Sequence, residues 1–222
     1  MLNRLILTHT TRGTRHAVKA LIQEVRLQRR HRAGLRAARV YRGSVGLKLQ
    51  LGSGPNPKPG WVNIDLFYPA DLNLDIRELL PFDDGSCSVI YSEHVFEHLA
   101  YPRETGQLLR ESLRVLEPGG LFSVGVPDTE WPLRAFVQGE DNYFQISLKS
   151  GSHPAWCTTR MHQINYHFRQ GTEHKYAWDY ETLAEVLRNA GFADVRRREF
   201  DPQTDAESRR IGTLYVDARR PQ

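Results

Sequence analysis

The chain has 222 residues, of which 40% are hydrophobic and 25% charged, enough for one domain with a sizeable core and an appendage. Its two cysteines, Cys87 and Cys157, exclude a disulfide-stapled secreted scaffold and are typical of a reducing cytoplasm. No run approaches the ~20 apolar residues of a membrane span, and the apolar stretch within residues 1–10 is too short for a secretory signal. We therefore expect a cytoplasmic protein.

The positive charge of the chain is concentrated at its N-terminal end. Residues 1–45 contain 11 lysines and arginines and one acid, a net charge of +10, whereas residues 46–222 have a net charge of −6. Apolar residues in this arm recur at helical spacing and predict an amphipathic helix over residues 14–39, with Ala17, Val18, Leu21, Ile22 and Val25 on its apolar side.

This basic helix has more than one interpretation. Residues 12–42 are typical of a segment that binds an anionic membrane surface or an acidic partner, which would place the protein peripheral to a membrane. The alternative is a helix packed on the domain with a solvated charged face. An Arg-rich, acid-poor start also occurs in organelle transit peptides.

After the arm, a glycine turn separates two apolar runs of strand length. Leu47–Leu51 predicts a strand, Gly52 and Gly54 allow a sharp turn and a close ligand, and residues 61–65 predict a second strand. Asp65 ends that strand, where a carboxylate can accept both hydroxyl protons of a ribose. This order is how α/β sheets hold nucleoside cofactors at the carboxyl ends of their strands. The alternative is a tight turn in an ordinary α/β domain.

The connection between these two strands cannot be helical, because Pro55, Pro57 and Pro59 lie within it. The remaining pattern predicts strands at 71–74, 88–91 and 121–126. Between them it predicts a helical turn at 76–80, a short helix at 93–99, a longer helix at 102–116 and a turn at 117–120. Residues 129–175 are predicted to be irregular, followed by a helix at 180–190 capped by Asp179 and ended by Gly191, and by strands near 193–200 and 211–218.

Three sequence blocks follow one another in a recognisable order and spacing. They are LKLQLGSGPNPKPGWVNIDL at 47–66, DLNLDIRELLPFDDGSCSVIYSEHVFEHL at 71–99 and RVLEPGGLFSVGVPD at 114–128. Together they resemble the S-adenosylmethionine-dependent methyltransferases of the Rossmann-like superfamily, specifically the small predicted methyltransferases with an LGSGxxxxxGWxNID opening. Residues 174–200 match more weakly.

The resemblance implies a fold and a domain organisation. The fold would be α/β, with a seven-stranded, mostly parallel sheet that ends in an antiparallel pair and carries helices on both faces. The methyltransferase domain would span residues 46–222 after the arm at 1–45, with residues 129–175 as an insert on the substrate side. The expected cofactor is S-adenosyl-L-methionine.

The resemblance also assigns cofactor-binding residues. Gly52, Ser53 and Gly54 would approach the methionine portion, Asp65 and Leu66 would border the ribose, Asp75 and Ile76 the adenine, and Ser92 the transferable methyl group. Two assignments have alternatives, since Asp65 could be a helix cap or surface acid and Asp75 a plain N-cap of the turn at Ile76. The short loop after the first strand leaves open what holds the methionine carboxylate, for which Lys58 and Arg77 are candidates.

Methyl transfer depends chiefly on alignment, and an oxygen or nitrogen acceptor can also need a general base. Histidine titrates in the right range, and the candidates after the fourth strand and in the insert are His94, His98, His153, His162, His167 and His174. We favour His94, which follows the strand near the methyl group and has a structural role as its alternative, and then His174, which begins a segment resembling HKWxYDxETL of the family. For His98 we favour packing against the following helix.

The sequence predicts no metal site. Cys157 with His162, His167 and His174 could supply ligands, but these residues contain no tight pair of the C-x-x-C or H-x-x-x-H kind.

The acceptor is predicted to be a small molecule or a glycan-type hydroxyl, because the insert is compact and aromatic, and the reaction O-methylation. The alternatives are a nucleic-acid or protein methyltransferase and a non-catalytic protein that has kept the cofactor fold. A nucleic-acid acceptor is disfavoured because residues 46–222 are net acidic and Ser92-Glu93-His94-Val95 stands in place of an Asn/Asp-Pro-Pro-Tyr/Phe signature. Intact Gly52, Gly54 and Asp65 argue against a non-catalytic protein.

Overall fold

The computed structural model describes residues 10–222. The short apolar stretch considered as a signal, within residues 1–9, lies outside the described residues. Across the described part of the chain, no helix combines the length and the apolar character needed to cross a bilayer.

The core is a single six-stranded sheet in the order β2–β1–β3–β4–β6–β5. Its strands are β1 (Leu47–Leu51), β2 (Val62–Ile64), β3 (Cys87–Glu93), β4 (Leu116–Pro127), β5 (Ala193–Arg198) and β6 (Thr213–Arg219). The first four strands pair in parallel, and β6 runs antiparallel between β4 and β5. The predicted α/β class, with a mostly parallel sheet and an antiparallel end, is confirmed.

The helices are α1 (Arg12–Ala37), α2 (Arg103–Val115), α3 (Glu130–Gln138), α4 (Asn142–Lys149), α5 (Arg160–Arg169) and α6 (Tyr180–Ala190). Short 3₁₀ turns occupy Ala38–Tyr41, Phe96–His98 and Glu207–Arg209. Helix α6 has the predicted bounds. The Asp179 carboxylate caps it by accepting from the Thr182 amide at 2.9 Å, and Gly191 ends it in the left-handed conformation, with φ of 106°.

The sheet has six strands rather than the predicted seven, because residues 71–74 do not form a strand. Only Leu72 pairs, in one parallel bridge with Ile64. The Asp71 carboxylate accepts from the Asn63 amide at 2.8 Å, so a side chain takes a donor that a longer ladder would need.

One predicted turn is present and another is not. Residues 76–80, predicted as a helical turn, contain a single turn in which the backbone N–H of Glu78 bonds to the Asp75 carbonyl. Residues 117–120 are part of β4 rather than a separate turn. The pairing with β3 nevertheless jumps from Leu116 to Leu121, so this part of the strand bulges away from its partner.

The insert at residues 129–175 is not irregular but carries the three helices α3, α4 and α5. Helices α3 and α4 begin without a side-chain cap, which removes the usual start signal from the sequence. Their stability comes instead from a small separate core, in which Ala135, Tyr143 and Phe144 are buried with Trp131 and Ile164 packed against them.

Within residues 10–222, the buried residues of helix α1 lie in its C-terminal half. Leu27 is buried, and a Cβ atom on Gly34 would lie 2.2 Å from the Asn73 carbonyl oxygen, so the helix backbone touches the domain there. The predicted apolar positions from Ala17 to Val25 are all exposed. The alternative of a helix packed on the domain therefore does not hold for the N-terminal half of α1.

Candidate active site

The glycine turn after β1 is held against the end of β2 by backbone hydrogen bonds. The amides of Gly52 and Ser53 donate to the Ile64 carbonyl at 2.8 and 3.1 Å. Gly52 has a φ of 67°, and a Cβ atom there would lie 2.2 Å from Val95 Cγ2, so only glycine fits. At Gly54 an added Cβ would meet nothing within 4 Å, so its backbone faces open space that a ligand can enter.

Asp65 links the glycine turn to the loop after β2. One carboxylate oxygen accepts from the Gly54 amide at 2.8 Å, and the other accepts from the Phe67 and Tyr68 amides at 2.7 and 2.8 Å. Asp65 is buried, as is Leu66. The residues predicted for the methionine and ribose portions thus lie together at the ends of adjacent parallel strands; their contacts with a cofactor stay a prediction.

Asp75 is engaged by a neighbour rather than free. The Arg77 guanidinium donates to both carboxylate oxygens at 2.7–3.2 Å, and the Arg77 amide donates at 3.0 Å. Burial alone would raise the pKa of the Asp75 carboxyl, but the hydrogen bonds and charge of Arg77 lower it. This geometry matches the alternative of a cap on the turn at Ile76, and an adenine contact would require Arg77 to release the carboxylate.

Two buried hydroxyl groups lie at this end of the sheet without a partner. Among the described residues, neither Ser53 Oγ nor Ser92 Oγ has a hydrogen-bond partner. Ser92 pairs with Leu51 across the β1–β3 ladder, so it stands beside the strand that leads into the glycine turn. Because unsatisfied buried hydroxyls are costly, their positions fit a polar ligand that would complete them.

The two cations considered for the methionine carboxylate are both engaged elsewhere. Lys58 Nζ donates to the Thr204 carbonyl and lies 4.5 Å from the centre of the Tyr91 ring. Arg77 holds Asp75 and lies 3.8 Å from Glu104. In this conformation neither is free to bind a carboxylate.

A buried polar network that the sequence did not predict lies at this end of the sheet. Tyr215 donates to Glu93 Oε1 at 2.9 Å, and Tyr91 donates to Asp205 at 3.1 Å. Arg198 binds the same Asp205 at 2.6 and 2.7 Å. The sequence shows only that the acid Glu93 ends β3. The partners of Glu93 and Tyr91 lie more than a hundred positions later in the chain, at Tyr215 and Asp205.

A cavity of about 470 Å³ lies between the end of β3 and the insert helices, and both predicted catalytic histidines line it. Its other walls include Trp131, Tyr143, His153, His167 and Arg209. The volume is within the range of small-molecule sites.

His94 has a conformation rare for its residue type. It follows β3 with a left-handed φ of 55°, and its amide donates to the Gly125 carbonyl at 2.8 Å. Its Nε2 lies 2.8 Å from the Thr213 hydroxyl oxygen. Burial, and then the positive charge of Arg209, lower the pKa of His94 well below its usual value, so the ring is neutral at physiological pH.

His174 reaches the same cavity from the insert side. Its Nδ1 lies 2.8 Å from the His167 carbonyl oxygen, and its ring meets that of His98 edge-on at 5.1 Å. The next two amides, those of residues 175 and 176, both donate to the Glu97 carbonyl at 2.7 and 3.2 Å. Burial lowers the pKa of His174.

Three other histidine candidates lie in the insert, and two of them, His153 and His167, also line this cavity. His153 and His167 contact the Tyr143 hydroxyl at 3.4 and 3.0 Å within the insert, and burial lowers the pKa of His167 to about 3. His162 is exposed on α5, and the Cys157 thiol contacts its backbone carbonyl, not its ring.

Glu97 is a second residue that sequence analysis missed. It is fully buried in the 3₁₀ turn after β3, and burial raises the pKa of its carboxyl to about 8. His98 beside it contacts the Glu173 carbonyl and the His174 ring, and its packing on the following helix stays a prediction.

Comparisons with known proteins agree with this fold. Residues 62–124 match the family model described as a methyltransferase domain. A protein of Bordetella parapertussis described as a possible exported protein is 17% identical, with a TM-score of 0.50, and the match covers 87% of this chain and 68% of that one. No curated protein matches significantly.

Two other solved structures are similar with lower scores. One is a methyltransferase from Haloferax volcanii solved with the Trm112 activator, at 19% identity and TM-score 0.48, covering 88% of this chain and 92% of that chain. The other is a SAM-dependent methyltransferase from Archaeoglobus fulgidus, at 17% identity and TM-score 0.47, covering 84% and 91%.

The family match falls on the part of the sheet that carries the site. It starts at β2 and ends within β4, and so includes Asp65, Asp75 and Ser92. The glycine turn bonded to Asp65 lies outside the matched residues, on a sheet that is mostly parallel with an antiparallel end, as the resemblance implies. Residues 62–124 of this chain therefore match a methyltransferase domain, within a mostly parallel sheet that has an antiparallel end.

Proposed function

We propose that this enzyme methylates a hydroxyl oxygen of a small-molecule or glycan-type acceptor bound in the cavity beside β3. The observation that carries the proposal is the cavity itself, about 470 Å³ and lined by His94, His174 and aromatic side chains of the insert. Aromatic walls with a few convergent polar groups are typical of sites for small organic ligands and sugars. The finer cofactor assignments remain part of the proposal: Gly52, Ser53, Gly54, Asp65, Leu66, Asp75, Ile76 and Ser92.

The chain's own task is to align the acceptor and receive its proton. Bound S-adenosylmethionine would supply an electrophilic methyl group on a sulfonium, and the acceptor oxygen would bond to that carbon as the carbon–sulfur bond breaks, leaving S-adenosylhomocysteine. The hydroxyl proton passes to His94, which we favour over His174 because it follows directly from β3, where we expect the transferable methyl group. Alignment supplies most of the acceleration.

The test is a transfer assay with radiolabelled methyl groups against separate panels of hydroxylated metabolites, oligosaccharides, nucleic acids and proteins. We expect label on an oxygen of a small or sugar-containing acceptor, with S-adenosylhomocysteine formed in equal amount. Label only in nucleic acid or protein would overturn the acceptor assignment. Cofactor binding with no transfer to any panel would favour the non-catalytic alternative.

We also infer that α1 binds the surface of an anionic membrane, which would make this cytoplasmic enzyme peripheral. Four apolar side chains of the helix are 41–65% exposed: Val18, Leu21, Ile22 and Val25. A helix turns about 100° per residue, so these four share one side, and the buried Leu27 and Gly34 lie on the opposite side. The apolar side of α1 therefore faces away from the domain.

The charge of α1 supports a lipid partner. The helix contains eight lysines and arginines and a single acid, Glu24. By the same helical geometry, Arg29, Arg32 and Arg36 continue the exposed apolar side toward the C-terminal end. An apolar side with adjoining cations is the pattern of helices that lie in the headgroup region of anionic bilayers.

A further inference from the structure

The Glu97 carboxylate is buried without a protein partner. The residue is 2% exposed, and neither of its side-chain oxygens has a hydrogen-bond partner within residues 10–222. The nearest basic atoms are His94 Nδ1 at 3.6 Å and His98 Nε2 at 3.8 Å. Arg209 does not compensate it directly, since its guanidinium donates to the Glu93 carbonyl and lies 3.9 Å from the Glu93 carboxylate. A buried carboxyl group with neither oxygen hydrogen-bonded is costly, whether protonated or ionised, unless a ligand completes it.

Two histidines beside Glu97 are held in the tautomer that binds metals. His98 Nδ1 lies 3.2 Å from the Glu173 carbonyl oxygen, and His174 Nδ1 lies 2.8 Å from the His167 carbonyl oxygen. Because a carbonyl can only accept, each Nδ1 carries the proton and each neutral ring keeps its lone pair on Nε2. A backbone carbonyl on the far ring nitrogen is the usual outer support of a histidine ligand.

These three side chains converge on one place. Glu97, His98 and His174 each offer a ligand atom, and the three atoms lie within 4.8 Å of one another. The amides of residues 175 and 176 bond to the Glu97 carbonyl, which ties the segment carrying His174 to the turn carrying the other two. A separate cavity of about 10 Å³, lined by Glu97 and His174 among others, has room for one water-sized occupant.

We propose that Glu97, His98 and His174 bind one divalent transition-metal ion, with zinc as the best match. Two imidazoles and one carboxylate suit zinc and its first-row neighbours, whereas magnesium and calcium prefer oxygen ligands alone. Zinc bonds of about 2.0–2.1 Å place ligand atoms roughly 3.4 Å apart, so the side chains close slightly around the ion. Three protein ligands leave a fourth position open.

The site goes beyond the proposed methyl transfer, because ion binding requires neither the cofactor nor the acceptor. It also assigns a role to His174, which lines the 470 Å³ cavity as well. An ion there would link the insert side of the acceptor cavity to the turn after β3. His174 would then be a metal ligand, and His94 would remain the proton acceptor.

The experiment uses full-length untagged protein, stripped with a chelator and titrated with Zn²⁺ by calorimetry. Co²⁺ provides a second readout through its visible absorption. We expect one ion per chain, and affinity at least about 100-fold weaker in Glu97→Gln, His98→Gln and His174→Gln, since each variant removes a direct ligand. His16→Gln and Glu185→Gln change an exposed histidine and an exposed glutamate and should bind like wild type.

Two results would overturn the proposal. One is folded wild-type protein that takes up less than one equivalent of either ion, and the other is ligand variants that bind as tightly as the two controls. Circular dichroism identifies any variant that fails to fold, and such a variant is set aside. The proposal is then judged on the wild-type stoichiometry, the Co²⁺ spectrum and the variants that do fold. Failure of methyl transfer would not change these readouts, so the two proposals fail separately.

Discussion

Asp65 provides the sharpest test of the cofactor site. Its carboxylate accepts three backbone N–H bonds, from Gly54, Phe67 and Tyr68, and so holds two loops at the ends of β1 and β2. In the proposed complex the same carboxylate also accepts the ribose hydroxyls. Asp65→Ala removes every one of these bonds, and we therefore expect weaker binding of S-adenosylmethionine.

The expected magnitude follows from the kind of bond that is lost. A hydrogen bond to a charged group contributes about 1.5–3 kcal/mol. Since 1.4 kcal/mol is tenfold in affinity, the variant should bind roughly 10- to 150-fold more weakly. Titration calorimetry well below the melting temperature measures this loss in the folded fraction, and circular dichroism monitors the fold.

Asp71→Ala is the matched control. The Asp71 carboxylate also binds the β2 segment, through the Asn63 amide and side chain at 2.8 Å each, but has no assigned cofactor contact. It should lower stability while largely preserving affinity. Unchanged affinity in Asp65→Ala, or an equal loss in both variants, would refute the ribose assignment.

Three further predictions concern the glycine turn, the base and α1. Gly52→Ala should lower the free energy of unfolding by about 1–3 kcal/mol, and with it the melting temperature, because its Cβ would meet Val95. Gly54→Ala, with open space around its Cβ, should lower the free energy of unfolding by less. His94→Ala should reduce turnover on the genuine acceptor by ~10²–10⁴-fold with cofactor affinity nearly intact; near wild-type turnover would mean that alignment alone suffices. The double variant Leu21→Glu/Ile22→Glu should abolish flotation with anionic liposomes at low salt without changing the melting temperature, as both side chains are exposed; a wild-type protein that ignores such liposomes would rule out the lipid partner.

Several features were determined by the sequence alone because their causes are local. Strand β1 has the predicted bounds, since a short apolar run followed by glycine leaves little choice of conformation. Helix α6 begins and ends where predicted, because Asp179 and Gly191 satisfy its terminal backbone groups from adjacent positions. The nearness of the glycine turn to Asp65 was also predictable, because parallel strands bring their carboxyl ends to one edge.

Other features were decided only by contacts between distant residues. The insert helices α3 and α4 have no side-chain cap at their N-terminal ends and depend on a shared aromatic core, so no local signal marks where they begin. Residues 71–74 have a strand-like pattern, but a side chain takes the donor that a ladder needs. The environment of Glu97 depends on His174, 77 positions later, whose ring is held by a carbonyl of the insert. Burial and hydrogen bonding between distant residues decide these features, and neither can be deduced from the residues next to them in the chain.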